Sequence, residues 1–208
     1  MIGVMLGLGG YRETARLSAS RAERMTGLEF RVIEHAPAGF PRDAFPGFVK
    51  LWLFELAEAD TILYLDSDAV VLRPWSAAAL PADHDEFICV RDQFIELYPE
   101  YDADLPRDTY FNAGMFIVNR HAHQEVFSFA AKLWRDRARP LPIEDQSALN
   151  YAVHRLGTPT LFLPDTYNYL RAHLDDREND EGVVIAHYTP SGIAKAHSKL
   201  IELATDDV

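Results

Sequence analysis

The sequence predicts a Rossmann-like α/β fold in which a central, mostly parallel mixed sheet is flanked by helices. Residues 2–33 have the pattern of a strand, a helix and a second strand, which predicts parallel strands joined by a right-handed crossover. Residues 61–65 form an apolar run that stops at Asp66, as in a strand buried inside a parallel sheet. Ligands of such sheets bind beyond the carboxyl ends of the strands, so we expect the functional site directly after residue 65.

The other elements follow from the spacing of their apolar residues, which repeats every two residues in strands and about every 3.6 in helices. Residues 36–46 contain three prolines and are predicted to be a loop. We expect strands at residues 2–6, 28–33, 61–65, 86–90, 110–118, 160–163 and 183–186, and helices at 13–25, 48–57, 122–137, 145–156 and 194–204.

Composition limits the classes of function. The formal net charge of −12 argues against general nucleic-acid binding, which requires a basic surface. The single cysteine, Cys89, lies in an apolar run and is expected to be buried and inert. The sequence shows no membrane span, no signal-peptide pattern and no linker. We therefore expect one cytoplasmic domain over residues 1–208.

Two aspartates follow the predicted strand at residues 61–65. Asp66 and Asp68 are two residues apart, so in extended chain their side chains point to the same side. Carboxylate oxygens are the ligands that Mg²⁺ and Mn²⁺ prefer. The same spacing also occurs in a polar turn in which an aspartate caps the following residues, so this motif alone leaves both interpretations open.

Six short motifs place glycines, acids, amides or a basic residue where predicted strands end or helices begin. They are Gly9-Gly10-Tyr11, Lys50, Leu65-Asp66-Ser67-Asp68, Tyr110-Phe111-Asn112-Ala113-Gly114-Met115, Glu144-Asp145-Gln146-Ser147-Ala148-Leu149-Asn150 and Ile185-Ala186-His187-Tyr188. In content and order they resemble those of family 8 nucleotide-sugar glycosyltransferases, the group of glycogenin and bacterial lipopolysaccharide sugar transferases. The resemblance runs to about residue 195 and implies a GT-A fold, with a nucleotide-binding part at about 1–75 and a donor-sugar and acceptor part at about 76–208.

The resemblance implies a metal site formed by Asp66, Asp68 and His187. His187 follows an apolar strand, where a lone histidine is more often structural, but the two aspartates favour a ligand role. We expect all three residues to reach the same sheet edge. An imidazole ligand favours Mn²⁺, with Mg²⁺ also possible. UDP is the usual nucleotide of the family, so the expected donor substrate is a UDP-sugar.

The resemblance also implies that Tyr11 covers the nucleotide base and that Lys50 and Lys195 lie near the donor's phosphates. Tyr11 could instead simply open a helix, and Lys50 could extend along an apolar helix face to reach solvent. The family's usual asparagine is missing from the first turn, and the Pro-Trp pair is missing after Lys195. Ser67 and Gly114 complete the expected donor-binding set.

Asn112, Gln146 and Asp145 are expected to contact the transferred sugar, according to the resemblance. From the residues alone, Asn112 could be a buried amide with protein partners, and Asp145 could be an acid that complements a helix dipole. Glu144 has no assigned role. The aromatic side chains Phe94, Tyr98 and Tyr101, in a predicted excursion at residues 92–108, are expected to border the acceptor site.

The predicted activity is metal-dependent transfer of a hexose, with retention at the anomeric carbon, from a UDP-sugar to a carbohydrate or glycoconjugate acceptor. Three alternatives remain at this stage. Asp66-Ser67-Asp68 after an apolar strand also fits a haloacid-dehalogenase-like phosphatase, and Leu8-Gly9-Gly10-Tyr11-Arg12 partly fits a sugar nucleotidyltransferase. A nucleotide-sugar-binding protein without turnover is the third.

Overall fold

The computed structural model describes residues 1–76, 84–95, 105–137, 141–171, 180–189 and 193–206. Short 3-10 helices occur there at Gly9–Tyr11, Pro46–Trp52, Arg107–Thr109 and Asp165–Tyr167. The regular elements in chain order are β1 (Ile2–Leu6), α1 (Arg12–Thr26), β2 (Phe30–Ile33), α2 (Leu53–Ala57), β3 (Thr61–Leu65), β4 (Ala69–Val71), β5 (Phe87–Arg91), β6 (Phe111–Asn119), α3 (Arg120–Arg135), α4 (Glu144–Leu156), β7 (Thr160–Leu163), β8 (Tyr169–Leu170), β9 (Ile185–His187) and α5 (Ile193–Asp206).

The central sheet has six strands in the order β2-β1-β3-β6-β5-β7. β1 pairs in parallel with β2 and β3, β5 pairs in parallel with β7, and β6 runs antiparallel to both of its neighbours. The predicted mostly parallel mixed sheet is therefore confirmed. Because β6 is reversed, its early residues lie beside the carboxyl end of β3, where the Asp66 amide donates to the Gly114 carbonyl at 2.8 Å.

A second, three-stranded sheet has the order β4-β9-β8. Its strands β4 and β8 are only three and two residues long, too short to show a period in the sequence. His187 lies in β9, opposite Ala69 of β4 and Leu170 of β8. His187 ends a strand, as expected, but this strand belongs to the second sheet and not to the central one. Asp66 and Asp68 lie in the link between the two sheets, which brings them beside β9.

Helices cover both faces of the central sheet because successive side chains of β3 point to opposite sides. Ile62 and Tyr64 pack in a core that includes residues of α3 and α4, whereas Leu63 and Leu65 pack in a second core with residues of α1. Since β3 and β6 are buried along their whole lengths, residues at the ends of these two strands have well-fixed positions.

The predicted helix at residues 48–57 differs in the structure. The 3-10 helix Pro46–Trp52 comes first and only Leu53–Ala57 is α-helical. Four consecutive residues of this segment are buried, so they do not form the half-exposed pattern of an amphipathic α-helix: Phe48, Val49, Lys50 and Leu51. The 3-10 helix packs against both α3 and α4, which carries Lys50 into the interior.

Two expectations from composition can be checked in the described residues. Cys89 is fully buried, and burial raises the pKa of its thiol, so it has the character of an inert core residue. Among the helices that the structure describes, none has the length and apolarity needed to span a membrane.

Candidate active site

A cleft of about 690 Å³ lies at the carboxyl end of β3, beside the start of β6. It is strongly acidic, because four carboxylates line it and Lys50 is the one lysine among its described lining residues. The predicted site residues found in its lining are Tyr11, Lys50, Asp66, Ser67, Asp68, Asn112, Gly114, Asp145, Gln146 and His187. The structure thus brings together ten of the eleven residues that were predicted to bind the metal, the donor or the transferred sugar.

Asp66, Asp68 and His187 form a compact group of metal-ligand type. One ligand atom of each lies within 4.8 Å of the others. His187 Nε2 is 3.2 Å from Asp68 Oδ1 and 3.8 Å from Asp66 Oδ2. Two carboxylates and one imidazole suit a divalent cation such as Mn²⁺, whose ligands are oxygens and ring nitrogens. Because one ligand atom of each residue lies within 4.8 Å of the others, these residues fit a divalent cation.

Gly114 makes room for the His187 ring. A Cβ atom at position 114 would overlap with the His187 imidazole and would lie 2.9 Å from Asn112 Oδ1. The ring is held against this glycine, and its Nδ1 atom is buried without a hydrogen-bond partner in the described part of the chain. The absence of a side chain at Gly114 therefore allows the His187 ring to lie close to Asp66 and Asp68.

Lys50 is a buried cation that joins two carboxylates. Its Nζ atom lies 3.1 Å from Asp66 Oδ1, 2.8 Å from Asp145 Oδ2 and 3.0 Å from the Ala113 carbonyl oxygen. Lys50 is only 3% exposed, so it does not extend to solvent. Since an ammonium group has three N–H donors, these three partners account for all of them. A contact of Lys50 with the donor's phosphates remains a prediction.

Tyr64 holds the Asp66 side chain in place, and it was not singled out in the sequence. Its hydroxyl donates to Asp66 Oδ1 at 2.6 Å, and its ring lies under Lys50 Nζ at 4.9 Å from the ring centroid. Tyr64 is fully buried and stacks on Phe116. Tyr64 and Lys50 thus both bind Oδ1 of Asp66, while Oδ2, which Lys50 also contacts at 3.4 Å, lies on the side of His187. The signal in the sequence was a tyrosine two residues before the aspartate, on the same side of the strand.

The charges in this cluster shift one another's pKa values. Burial alone would raise the pKa of Asp66, but Lys50, His187 and the Tyr64 hydrogen bond outweigh it and hold that pKa below its usual value. Burial alone would lower the pKa of His187, but Asp68 and Asp66 raise it. Burial raises the pKa of Asp145, which Lys50 only partly offsets. The metal-free group is therefore held together by opposite charges.

An amide network lies beside the charged group. Gln146 Oε1 accepts hydrogen bonds from Asn112 Nδ2 and from the Ala113 amide, both at 3.0 Å, and Gln146 Nε2 donates to Asp92 at 2.8 Å. Asn168 Nδ2 donates to Asn112 Oδ1 at 2.9 Å. Asn112 is therefore a buried amide with protein partners, as one of its two interpretations states. Sequence reasoning missed Asp92 and Asn168, although Asp92 follows β5 as Asp66 follows β3.

The remaining predicted residues lie as follows. Tyr11 is 39% exposed and lines the cleft at the start of α1, and Ser67 is buried between the two aspartates. Lys195 is exposed on α5 and is not among the residues that line the cleft. Phe94 is partly buried outside the cleft lining, and Tyr98 and Tyr101 lie outside the described residues.

The mixed sheet, with an acid-lined cleft at the carboxyl end of β3, is the architecture expected of a glycosyltransferase with the GT-A fold. The sequence profile described as glycosyl transferase family 8 matches residues 46–196, which is more than half of the chain. The chain belongs to this family. Membership favours the transferase over the phosphatase and nucleotidyltransferase alternatives. Among curated proteins, no sequence matches the chain.

Solved structures support the fold independently. A structure of galactosyltransferase LgtC in complex with donor and acceptor sugar analogs has a TM-score of 0.69 and 19% identity, over 97% of this chain and 96% of that one. A structure of an LgtC active-site mutant has a TM-score of 0.68 and 19% identity, over 97% and 95%. A glycosyltransferase involved in glycosylation of the major capsid of PBCV-1 has a TM-score of 0.66 and 17% identity, over 97% and 100%.

Proposed function

We propose that this chain transfers a hexose from a nucleotide diphosphate sugar, most simply a UDP-sugar, to a carbohydrate or glycoconjugate acceptor, with retention at the anomeric carbon. The observation that carries the proposal is the grouping of Asp66, Asp68 and His187 within 4.8 Å, inside a cleft of substrate size. Family membership and the donor and acceptor analogs bound by LgtC support the donor and acceptor classes.

The charge of the cleft explains why a divalent cation is part of the proposal. Asp66, Asp68, Glu144 and Asp145 line it, while Lys50, the one lysine among the described lining residues, already binds Asp66 and Asp145. A diphosphate would meet a surplus of negative charge in such a cleft, which disfavours its binding. When bound by the two aspartates and His187, a divalent cation supplies the positive charge that offsets the diphosphate and stabilises the leaving group. We propose Mn²⁺ because of the imidazole ligand.

The proposed reaction exchanges one bond at the anomeric carbon. The bond from that carbon to the donor's β-phosphate oxygen breaks, and the oxygen keeps the electron pair. The acceptor's hydroxyl oxygen forms the new bond on the same face, and its proton passes to the departing diphosphate. Asp145, held by Lys50 at 2.8 Å, is proposed to stabilise positive charge that develops on the sugar.

The remaining residues are proposed to orient the donor. Tyr11, exposed at one end of the cleft, offers a ring to the base. Asn112 donates to Gln146 and Asp92 and accepts from Gly114 and Asn168, so its hydrogen-bonding groups are already used. We propose that it holds the Gln146 amide in position, and that the two residues contact the transferred sugar from this fixed arrangement. The cleft draws Tyr11 and Lys50 from the first part of the chain and Asn112 and Asp145 from the second. This supports one domain over residues 1–208 that divides near residue 75.

Release of UDP from a panel of UDP-hexoses, with 1H NMR of the product's anomeric proton, tests this proposal. We expect release with Mn²⁺, loss with EDTA and recovery on adding Mn²⁺ back, with a product of the donor's anomeric configuration. Inverted product would refute retention. Undiminished release in EDTA, or turnover of no UDP-hexose under any metal condition, would refute the proposed donor and metal dependence.

A further inference from the structure

Phe45 presents an exposed aromatic ring inside the cleft. It is 42% exposed and belongs to the cleft lining, at the start of the 3-10 helix Pro46–Trp52. An aromatic side chain left open to water within a concave site is typical of a surface that a ligand covers.

The ring lies next to Asp145. A Cβ atom at position 47 would overlap with the Phe45 ring and would lie 2.9 Å from Asp145 Oδ1, so the ring and this oxygen are neighbours across Gly47. The other oxygen, Asp145 Oδ2, faces Lys50 at 2.8 Å, and Lys50 continues to Asp66. Asp145 therefore lies between two parts of the cleft. Its Oδ1 atom faces Phe45, and its Oδ2 atom faces Lys50 and, beyond it, the group of Asp66, Asp68 and His187.

Packing holds the Phe45 ring in place. Its edge-to-face contact with Phe48 has a centroid distance of 6.3 Å and an interplanar angle of 84°. Phe48 in turn stacks on Trp134 at 5.0 Å within a larger aromatic group. A ring that is supported in this way loses little rotational freedom when a ligand binds to its open face.

Glu144 supplies a carboxylate close by. It is a non-glycine residue with φ of 45°, in the left-handed region, at the first position of α4 and in the cleft lining. Its side chain is exposed, and its charge interacts with those of Asp145 and Lys50 without a hydrogen bond to the described residues. Strained backbone of this kind is concentrated at functional sites, where it holds a side chain in a required place.

We propose that Phe45 and Glu144 form the subsite for the acceptor sugar. The ring's negatively charged face suits the C–H face of a pyranose, and the free carboxylate accepts a hydrogen bond from a sugar hydroxyl. Asp145 separates this subsite from the group that would hold the donor's diphosphate, so a sugar on Phe45 lies where the incoming hydroxyl is needed. This inference rests on the proposed function, since it assumes that Asp145 faces the transferred hexose.

Saturation-transfer NMR with four probes tests the subsite: lactose and the methyl glycosides of glucose, galactose and mannose, each with UDP and Mg²⁺. For at least one probe, we expect transfer to the ring C–H protons in the wild type. Phe45→Ala should weaken the binding of that probe about three- to tenfold, the range of one aromatic contact, and Glu144→Gln should weaken it as well. Leu161→Ala, which truncates an exposed apolar side chain outside the cleft, is the matched control.

Calorimetric titration with UDP in the same variants separates this inference from the proposed function. We expect UDP affinity to stay within twofold of wild type in Phe45→Ala, with an unchanged melting temperature. An equal loss of UDP affinity would assign Phe45 to the donor and overturn the proposal. So would unaltered glycoside binding in Phe45→Ala, or saturation transfer to none of the four probes in wild type. Glycoside binding without any UDP binding would leave the subsite standing and count against the proposed function.

Discussion

At the scale of single residues, the site depends on how Asp66 is held. Tyr64 and Lys50 both bind its Oδ1 atom, at 2.6 and 3.1 Å, and Oδ2 stays on the side of His187. Side chains that orient a metal ligand typically affect metal affinity by about 10- to 100-fold when they are changed. Tyr64 is therefore a positioning residue, although its side chain is fully buried at the wall of the cleft.

The change Tyr64→Phe removes this hydroxyl and little else. We expect Mn²⁺ affinity, measured by calorimetry in the absence of nucleotide, to fall by about tenfold. Tyr110→Phe is the matched control because it removes the hydroxyl of another buried tyrosine, which lies 3.5 Å from Ser147 Oγ and not beside Asp66. Equal Mn²⁺ affinity in Tyr64→Phe and Tyr110→Phe would show that the hydroxyl does not position Asp66.

Asp145 allows a test of catalysis apart from binding. Asp145→Asn keeps the size of the side chain but removes the charge that faces Lys50. We expect kcat for hexose transfer to fall by about a hundredfold or more while the Kd for UDP with Mn²⁺ changes little, because the lost interaction is made with the transition state. Turnover equal to wild type would leave Asp145 as only an acid at the start of a helix.

At the scale of elements, the contact between β6 and β9 controls where His187 lies. Gly114→Ala would place a methyl group where the imidazole packs, so either the ring or the strand must move. We expect this change to lower Mn²⁺ affinity about as strongly as His187→Ala does. Ala113→Gly, one residue earlier in the same strand, is the control for altered backbone flexibility. Wild-type Mn²⁺ affinity in Gly114→Ala would refute the packing argument.

The long elements could be predicted from the sequence because their apolar residues alone determine their positions. β3 begins and ends where expected, and α4 differs by one residue at its start. The second sheet could not be predicted, because β4 and β8 have two or three residues and form only by pairing with β9. The 3-10 helix Pro46–Trp52 was missed because its burial comes from packing against α3 and α4.

The site shows the same division between local and tertiary information. Asp66 and Asp68 were found because their spacing and the strand before them are local features. His187 was found through the resemblance, since nothing near it in the sequence shows that β9 pairs with β4. The contacts of Lys50 with Asp66 and Asp145 join residues far apart in the chain, so no local pattern could reveal them.

At the scale of the whole molecule, acidity makes metal binding depend on pH. Without metal, burial alone would lower the pKa of His187. The negative charges of Asp68 and Asp66 outweigh this effect and raise that pKa above its usual value. The protonated imidazole therefore stabilises the metal-free fold at low pH, and this contribution is lost as pH rises through the raised pKa. A metal ligand must be neutral, so Mn²⁺ affinity should fall as pH falls through that pKa.

Calorimetric titration of Mn²⁺ in two buffers of different ionisation enthalpy measures this linkage. We expect proton release on binding below the raised pKa of His187, and less release at higher pH, where the imidazole is already neutral. His187→Gln is the control, since it removes the titrating ring but keeps a polar side chain. Proton release of the same size in His187→Gln would show that another group titrates.

The net charge of −12 and the four carboxylates of the cleft make a direct prediction for the donor. A diphosphate should bind only where a cation offsets this charge, so metal and nucleotide should depend on each other. Asp68 is central to this account because it lies closest to His187, at 3.2 Å.

The most direct test is calorimetric titration of UDP with and without Mn²⁺, on wild type and on Asp68→Asn. The account predicts UDP binding to wild type that is at least about tenfold tighter with Mn²⁺ than in EDTA, and loss of most of that gain in Asp68→Asn. Melting temperatures without metal should be similar in both proteins. UDP binding of equal strength with and without Mn²⁺, in both proteins, would contradict the proposed site.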